Sequence, residues 1–478
     1  MASKASLCRM IVTVAVLSVA LPVAGARGDS AVGWGENWHY NLGAGYRSER
    51  SDVPASVRQL VGIREVAAGG GSGIALMEDG TLEAWGGNSN GQLGDGTLTR
   101  SPTPKPVPGV SGVVQIAMYG EHVAALLSTG HVLTWGSNLY GQLGNGTTGA
   151  GRESNASRSP VPVEVPGITN AVSLGLGGAS DAAVLADGSV LAWGENQHGE
   201  LGDGTTVEKD VPTPVRNLRG VKSVVIGGIA TLGGHSAALL ENGTVEAWGT
   251  DKTGSTALTP QPVAGLSGVV QISAGYTDTF ALLSNGTLES WGTNMSGELG
   301  YRTTETCGRQ LFPCSRRPRP VPGISGASSV TASGFQFTVA VVHGQALAWG
   351  RNQYGQLGNG AVSAVSPVQP VVGLSTVTQV AAGERHSIAI SHQPAIPPAL
   401  AVEAGRGALT VHWTVTQSTE PWRVNYRPVA IPAGLFVAPL SIASSASSYT
   451  FSGLTPGVPY EVKLWSALGP YVALGTPG

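Results

Sequence analysis

The stretch NQYGQLGNG, Asn352 to Gly360, recurs almost letter for letter as NLYGQLGNG, Asn138 to Gly146. A glycine-rich run of this kind can cradle a phosphate, or it can be a tight turn that a repeated architecture needs many times. Spacing separates the two. Trp-Gly pairs begin at Trp34, Trp85, Trp135, Trp193, Trp248, Trp291 and Trp349, at intervals of 51, 50, 58, 55, 43 and 58 residues. A period near fifty marks a repeat array. A phosphate loop would occur once, between a strand and a helix. The phrase is therefore read as scaffold: its glycines make a recurring turn, Leu357 packs inward and Trp349 wedges between units.

Each unit has the same order of parts, shown by VVQISAGYTDTFALLSNGTLESWG, Val269 to Gly292. An alternating apolar run is followed by a glycine turn, a second apolar run, a short turn and a strand ending in Trp-Gly. The short turns are Asp79-Gly80, Thr129-Gly130, Asp187-Gly188, Asn242-Gly243, Asn285-Gly286 and His343-Gly344. Asp-Gly and Asn-Gly favour two-residue type I′ hairpins, in which both central residues take positive φ. The glycine phrase comes next, then a proline-marked stretch such as SPVPVEVPGI (Ser159 to Ile168) that suits an edge strand. Four short strands per unit describe a propeller blade. The first unit, starting at Ala31, lacks its front strands, and Val377 to Ser391 supplies such strands without a Trp-Gly. The expected fold is all-β: a seven-bladed β-propeller over residues 31–391, closed by strand exchange between the termini.

Composition agrees. The chain has 478 residues, with 70 Gly, 41% hydrophobic and only 12% charged residues, too apolar for disorder and too glycine-rich for a helical protein. The net charge of −3 gives no reason to expect a nucleic-acid partner. Residues 1–26 read as a secretory signal peptide: Lys4 and Arg9, an apolar core from Met10 to Leu21, and a small-residue cleavage site at Ala24-Gly25-Ala26. Secretion or display at the cell surface is expected, with no membrane span in the mature chain. Cys307 and Cys314, in TCGRQLFPC, read as a disulfide in that compartment.

The motifs AAGERHSIAI (Ala381 to Ile390), DGTLEAWG (Asp79 to Gly86), NQYGQLGNG and SPVPV resemble the regulator of chromosome condensation repeat family, in its exported bacterial type. The resemblance covers roughly Ala31 to Ser391 and implies a seven-bladed propeller. One unit departs from the pattern: after Trp248 the chain reads WGTDKTGSTALTP, without the GQLG core. After a proline-rich linker, 392–399, residues 400–478 resemble a fibronectin type III domain. The matching features are Trp413, Tyr426 and LTPGVPYEV (Leu454 to Val462), and they imply a small β-sandwich with Tyr460 near the start of a late strand.

No catalytic group, cofactor-binding residue or metal-ligand pattern is expected. His122, His235 and His386 hold one place in three units, with Ser72, Ser180, Asp278 and Gln336 in others, and read as hydrogen-bonding positions inside blades. Function is assigned to the loops, as rigid scaffolds present it there. The place of Tyr354 holds His39, Tyr140 and His198 in other units, with Asn90 and Ser296, and forms a candidate binding rim. The long loop after Gly300 carries Arg302, Arg309, Arg316, Arg317 and Arg319, a candidate basic surface. The expected activity is a non-enzymatic, monomeric binding propeller whose partner is a protein or a cell-surface glycan. The alternatives implied by resemblance are a propeller inhibitor of a secreted enzyme such as a β-lactamase, a nucleotide exchange factor for a small GTPase and a UV-B photoreceptor. A propeller hydrolase is a further alternative.

Overall fold

The computed structural model describes residues 30–475 apart from 149–156, 230–232, 251–255, 309–310, 392–400, 406, 413–421, 429–439, 443–447, 457, 459 and 467–468. The expected signal peptide, the linker 392–399, Arg309 and Trp413 lie outside the described residues. Seven antiparallel sheets form the blades of a propeller. We name each blade by its Trp-Gly tryptophan.

The Trp85 blade shows the common plan. Its strands run Ile63–Ala68, Ser72–Met77, Leu82–Gly86 and Ser101–Pro106, hydrogen-bonded in that order. The second and third strands are almost wholly buried, whereas the proline-bearing fourth is mostly half-buried or exposed at one edge. This is where a strand with missing N–H donors is tolerated. The Trp291 blade has a fifth strand, Glu305–Cys307, paired to Phe312–Pro320. The Cys307–Cys314 disulfide ties this added hairpin. In the Trp34 blade the order is Arg50–Val61, Ser30–Glu36, His386–Ser391, Val377–Ala382, with Ser30 opposite Ser391 and Gly35 opposite His386. The tail has two further sheets: Ala401–Gly405, Ala408–His412 and Ser448–Ser452 in one, and Leu440–Ile442, Trp422–Pro428, Tyr460–Ser466 and Gly469–Gly475 in the other.

The short turns differ from the type I′ expectation. At Asp79-Gly80 only the glycine takes positive φ, 79°. The Gly80 N–H donates to the Met77 carbonyl and the Met77 N–H to the Thr81 carbonyl. That is a three-residue loop: a type I turn followed by a left-handed glycine. Asp79 keeps ordinary φ because its carboxylate accepts both the N–H and the hydroxyl of Thr81, at 3.0 and 2.6 Å. Asn242 and Asn285 do the same for Thr244 and Thr287. The exception is His343-Gly344, where φ is 51° and 76° and Val342 faces Gln345 directly. That unit is one residue shorter, so its turn must be the two-residue kind.

The glycine phrase joins one blade to the next. Within the Trp135 blade, buried Asn138 accepts the Leu143 N–H at 3.0 Å and donates to the Thr147 carbonyl, pinning the loop from inside. Asn37, Asn88, Asn196, Asn294 and Asn352 repeat the bond to the phrase leucine. The carbonyl of Gln142 then accepts the indole N–H of Trp193 in the next blade at 2.9 Å. The same bond joins Gln356 to Trp34, Asn41 to Trp85, Gln92 to Trp135, Glu200 to Trp248 and Glu298 to Trp349. Gly144 lies flat on the Trp193 ring: at φ 61° any Cβ would sit 2.7 Å from the indole nitrogen. The six phrase leucines, Leu42, Leu93, Leu143, Leu201, Leu299 and Leu357, are all buried.

The innermost strands are clamped as well. Gln379 accepts the Val66 N–H at 2.9 Å and donates back to the Val66 carbonyl. Gln115 does this with Leu174, and Gln271 with Val330. At the junction between the Trp85 and Trp135 blades the clamp is Glu65, which accepts the Ile116 N–H. Burial pushes its carboxyl up to about 7. In the centre the half-buried Tyr119 places its buried hydroxyl against Gly334, on a blade across the ring.

Candidate functional site

A cleft of about 470 Å³ opens among the glycine-phrase loops of the Trp34, Trp85 and Trp135 blades. His39 and Tyr140 line it, together with Glu36, Glu121, Glu384 and Arg385. The phrase orients its side chains. Backbone N–H groups of His39 and Tyr140 donate to the Asn41 and Gln142 side chains two residues on, at 3.0 and 2.9 Å. The rim residue is thereby held at the apex of a fixed turn while its own side chain is free to vary.

The cleft is acidic with one cation. Arg385 pairs with Glu36 at 3.3 Å, and its guanidinium lies 4.8 Å above the Tyr354 ring and 5.0 Å above the Phe335 ring. Stacking of this kind holds an arginine in place while leaving its N–H groups available. Glu121 accepts from Asn90 and Ser89. Burial raises the Glu384 carboxyl, Arg385 draws it back down, and the charges of Glu121 and Glu36 push it up again.

Of the four rim residues picked from sequence, the structure brings His39 and Tyr140 to this cleft and connects Tyr354 to it through Arg385. His198 belongs to a different cluster, with Glu195 and Glu200. Sequence reasoning missed that cluster, although the signal was there: GENQHGE has a carboxylate at both ends of the phrase and an imidazole between them. Burial raises the Glu195 carboxyl to about 9, with neighbouring Glu200 pushing in the same direction. Arg385, Glu36 and Glu384 were also missed. Glu36 stands three residues before His39, whereas Glu384 and Arg385 stand in the turn before His386–Ser391, and the Trp34 loop meets them because Ser30–Glu36 pairs with that strand.

The basic loop lies elsewhere. Arg316 and Arg317 line a second cleft of about 520 Å³ between the Trp248 and Trp291 blades, which shares no residue with the first. Arg302 and Arg319 are exposed. Arg319 pairs with Glu305 at 2.6 Å, and Arg316 donates to the Thr306 carbonyl, so part of the basic surface is used within its own hairpin. Two of the repeated histidines also differ from expectation, because they bridge blades instead of bonding within them. His122 meets Asp181 of the next blade at 2.7 Å, fully buried, and His235 meets Thr279 of the next blade at 3.0 Å. Each stands at the start of a second strand, where the side chain faces the adjoining sheet. His386 at the same place is buried, and burial lowers it to about 4.

The regulator of chromosome condensation (RCC1) repeat family matches residues 79–126, 129–182, 187–239 and 343–390, and a second form of the same repeat matches 63–92 and 113–142. The chain carries RCC1 repeats. It is 30% identical over 374 residues to the human E3 ubiquitin-protein ligase HERC2, covering 75% of this chain but only 8% of that protein. It is 27% identical over 341 residues to the ultraviolet-B receptor UVR8 of Arabidopsis thaliana, covering 69% and 74%. Solved RCC1-type folds agree: yeast RCC1 (Prp20), in its complex with Kap60, has a TM-score of 0.64 at 23% identity, covering 76% of this chain and 89% of that one. Human WBSCR16 has a TM-score of 0.65 at 20% identity, covering 76% and 98%. The RCC1-repeat propeller thus accounts for the phrase, the tryptophans and the blade order together.

Proposed function

We propose that this RCC1-repeat propeller is an exported, non-enzymatic binding module that holds a protein partner in the cleft of His39, Tyr140 and Arg385. One observation carries the reading: residues from the varying position of separate blades converge with Glu36, Glu121, Glu384 and Arg385 on one concave surface. Concave sites with a few convergent polar groups are where ligands bind. Three carboxylates against one guanidinium favour a partner segment that presents a basic side chain. The aromatic ring of Tyr140 offers it an apolar wall. Export is supported by the leader-like composition of residues 1–26 and by the disulfide, which suits an oxidising compartment.

In this reading the ring closes by strand exchange, which the pairing of Ser30–Glu36 with His386–Ser391 supports. Residues 400–478 then form a fibronectin type III-like sandwich acting as a spacer. Its two sheets support this, as does buried Tyr460, whose hydroxyl accepts the Thr455 N–H at 3.1 Å in the manner of a tyrosine corner.

The test is crosslinking capture at the surface of the producing cell. Wild type is compared with His39→Ala/Tyr140→Ala, Arg385→Ala and Arg316→Ala/Arg317→Ala. The reading expects one partner to be lost with the first two and kept with the third. Loss confined to the Arg316/Arg317 variant would move the site to the second cleft. No specific partner with wild type would overturn the binding reading.

A further inference from the structure

The loop Glu195 to Glu200 stands apart from its counterparts in the other blades. The place of Glu195 holds Gly87, Ser137, Thr293 or Arg351 in four of them, and the place of Glu200 holds Gln92, Gln142 or Gln356 in three. Among the described phrases, this one alone has carboxylates at both places with a histidine between them. The shared frame does not require the combination, since the sister loops fold without it.

Geometry brings the three side chains to a point. Glu195 and Glu200 are each 2% exposed. The backbone holds one oxygen of each: Glu195 Oε1 accepts the Gln197 N–H at 3.1 Å and Glu200 Oε2 accepts the His198 N–H at 2.9 Å. His198 Nδ1 is buried and has no hydrogen-bond partner. It lies 3.8 Å from Glu195 Oε1 and 3.9 Å from Glu200 Oε1, too far for hydrogen bonds and close to the spacing of donors around a shared ion. One donor atom from each residue falls within 4.8 Å of the others. Bonds of about 2.0–2.2 Å in tetrahedral geometry place donors about 3.4 Å apart, so the imidazole needs to approach each carboxylate by only about half an ångström. In their ionised form two adjacent buried carboxylates are stabilised by a cation between them. Among the described residues Lys209 pairs with Asp203 and not with them.

We propose that Glu195, His198 and Glu200 bind a divalent transition metal, with zinc the favoured ion. One imidazole and two carboxylates are a borderline-hard donor set that suits Zn²⁺ above Ca²⁺ or Mg²⁺. A fourth ligand, a water or a partner's side chain, would complete the tetrahedral set. The site would anchor one phrase loop beside the rim.

The test titrates metal-free mature protein with Zn²⁺ against a chromophoric chelator, with Ca²⁺ as a second arm. Three variants carry residues that sister blades already use: Glu195→Ser, His198→Asn and Glu200→Gln. Wild type should take up one Zn²⁺ per chain and unfold at a higher temperature with zinc present. Each variant should lose at least about tenfold in affinity, and the zinc-dependent rise in unfolding temperature with it. Circular dichroism confirms that the variants fold. Failure of wild type to retain zinc, unchanged affinity in all three variants, or preference for Ca²⁺ would each overturn the assignment.

Discussion

The two junctions that flank the Trp248 blade are built from the same strands and close differently. On one side, Leu201 is buried, Gly202 lies against the Trp248 ring and the Glu200 carbonyl accepts its indole N–H. On the other side the chain reads WGTDKTGSTALTP, and the GQLG core that should meet Trp291 is missing. Trp291 is 8% exposed, against 4% for Trp248 and none for the other five. The 520 Å³ cleft lies there, walled by both tryptophans, His235 and Arg316. The difference shows what the phrase does: it fills the wedge-shaped gap that opens between two twisted sheets. The strands alone make blades, and the phrase seals them into a ring.

The largest expected effect separates the two kinds of junction directly. Trp193→Ala should cost about 3–5 kcal/mol in urea unfolding, since it removes a fully buried ring and orphans the Gln142 carbonyl. Trp291→Ala, beside an open cleft, should cost distinctly less. Equal losses would break the comparison. Next comes Gly144→Ala, at about 2–5 kcal/mol from left-handed strain and the collision with Trp193. It should be read in the same urea series. A neutral result would mean that the loop can lift away and is not a seal.

The inner clamps sharpen the contrast at a second radius. Three junctions use glutamine, and the Trp85–Trp135 junction uses Glu65. A protonated carboxyl can accept and donate as glutamine does, whereas an ionised one buried there cannot. Because the folded value of about 7 stands above the ordinary 4.5, the folded chain holds the proton more tightly than the unfolded chain. This favourable contribution is complete below about pH 4.5. It falls as pH rises to about 7 and is absent above. Glu65→Gln should therefore raise stability at pH 8 and change it little at pH 4.5. The gap is on the order of 3 kcal/mol at most, at about 1.36 kcal/mol per pH unit. Thermal unfolding of both proteins across that range checks it, and a gap that widens toward acid would refute it. The smallest effect concerns the open junction's rim: Arg319→Ala should cost no more than about 1 kcal/mol, because the exposed pair with Glu305 is screened by solvent.

Much of this was legible in the residues. The Trp-Gly spacing gave the blade count, and the missing GQLG after Trp248 marked the irregular junction. The turn error had a local cause: Asp-Gly suggests two positive φ values, but the threonine or serine after it rewards the aspartate for staying in the ordinary region. The histidine error had a non-local one. Nothing in EHVAALL says that His122 will find Asp181, 59 residues on, because the contact crosses from one sheet to the next.

By itself the sequence determined what short-range chemistry decides: strands from alternation, turns from glycine, edges from proline and the number of repeats from their period. Only the tertiary structure decided which side chains meet. A closed ring brings residues together by their angle around the axis, not by their distance along the chain. Thus His39, Tyr140 and Arg385, far apart along the chain, share a cleft.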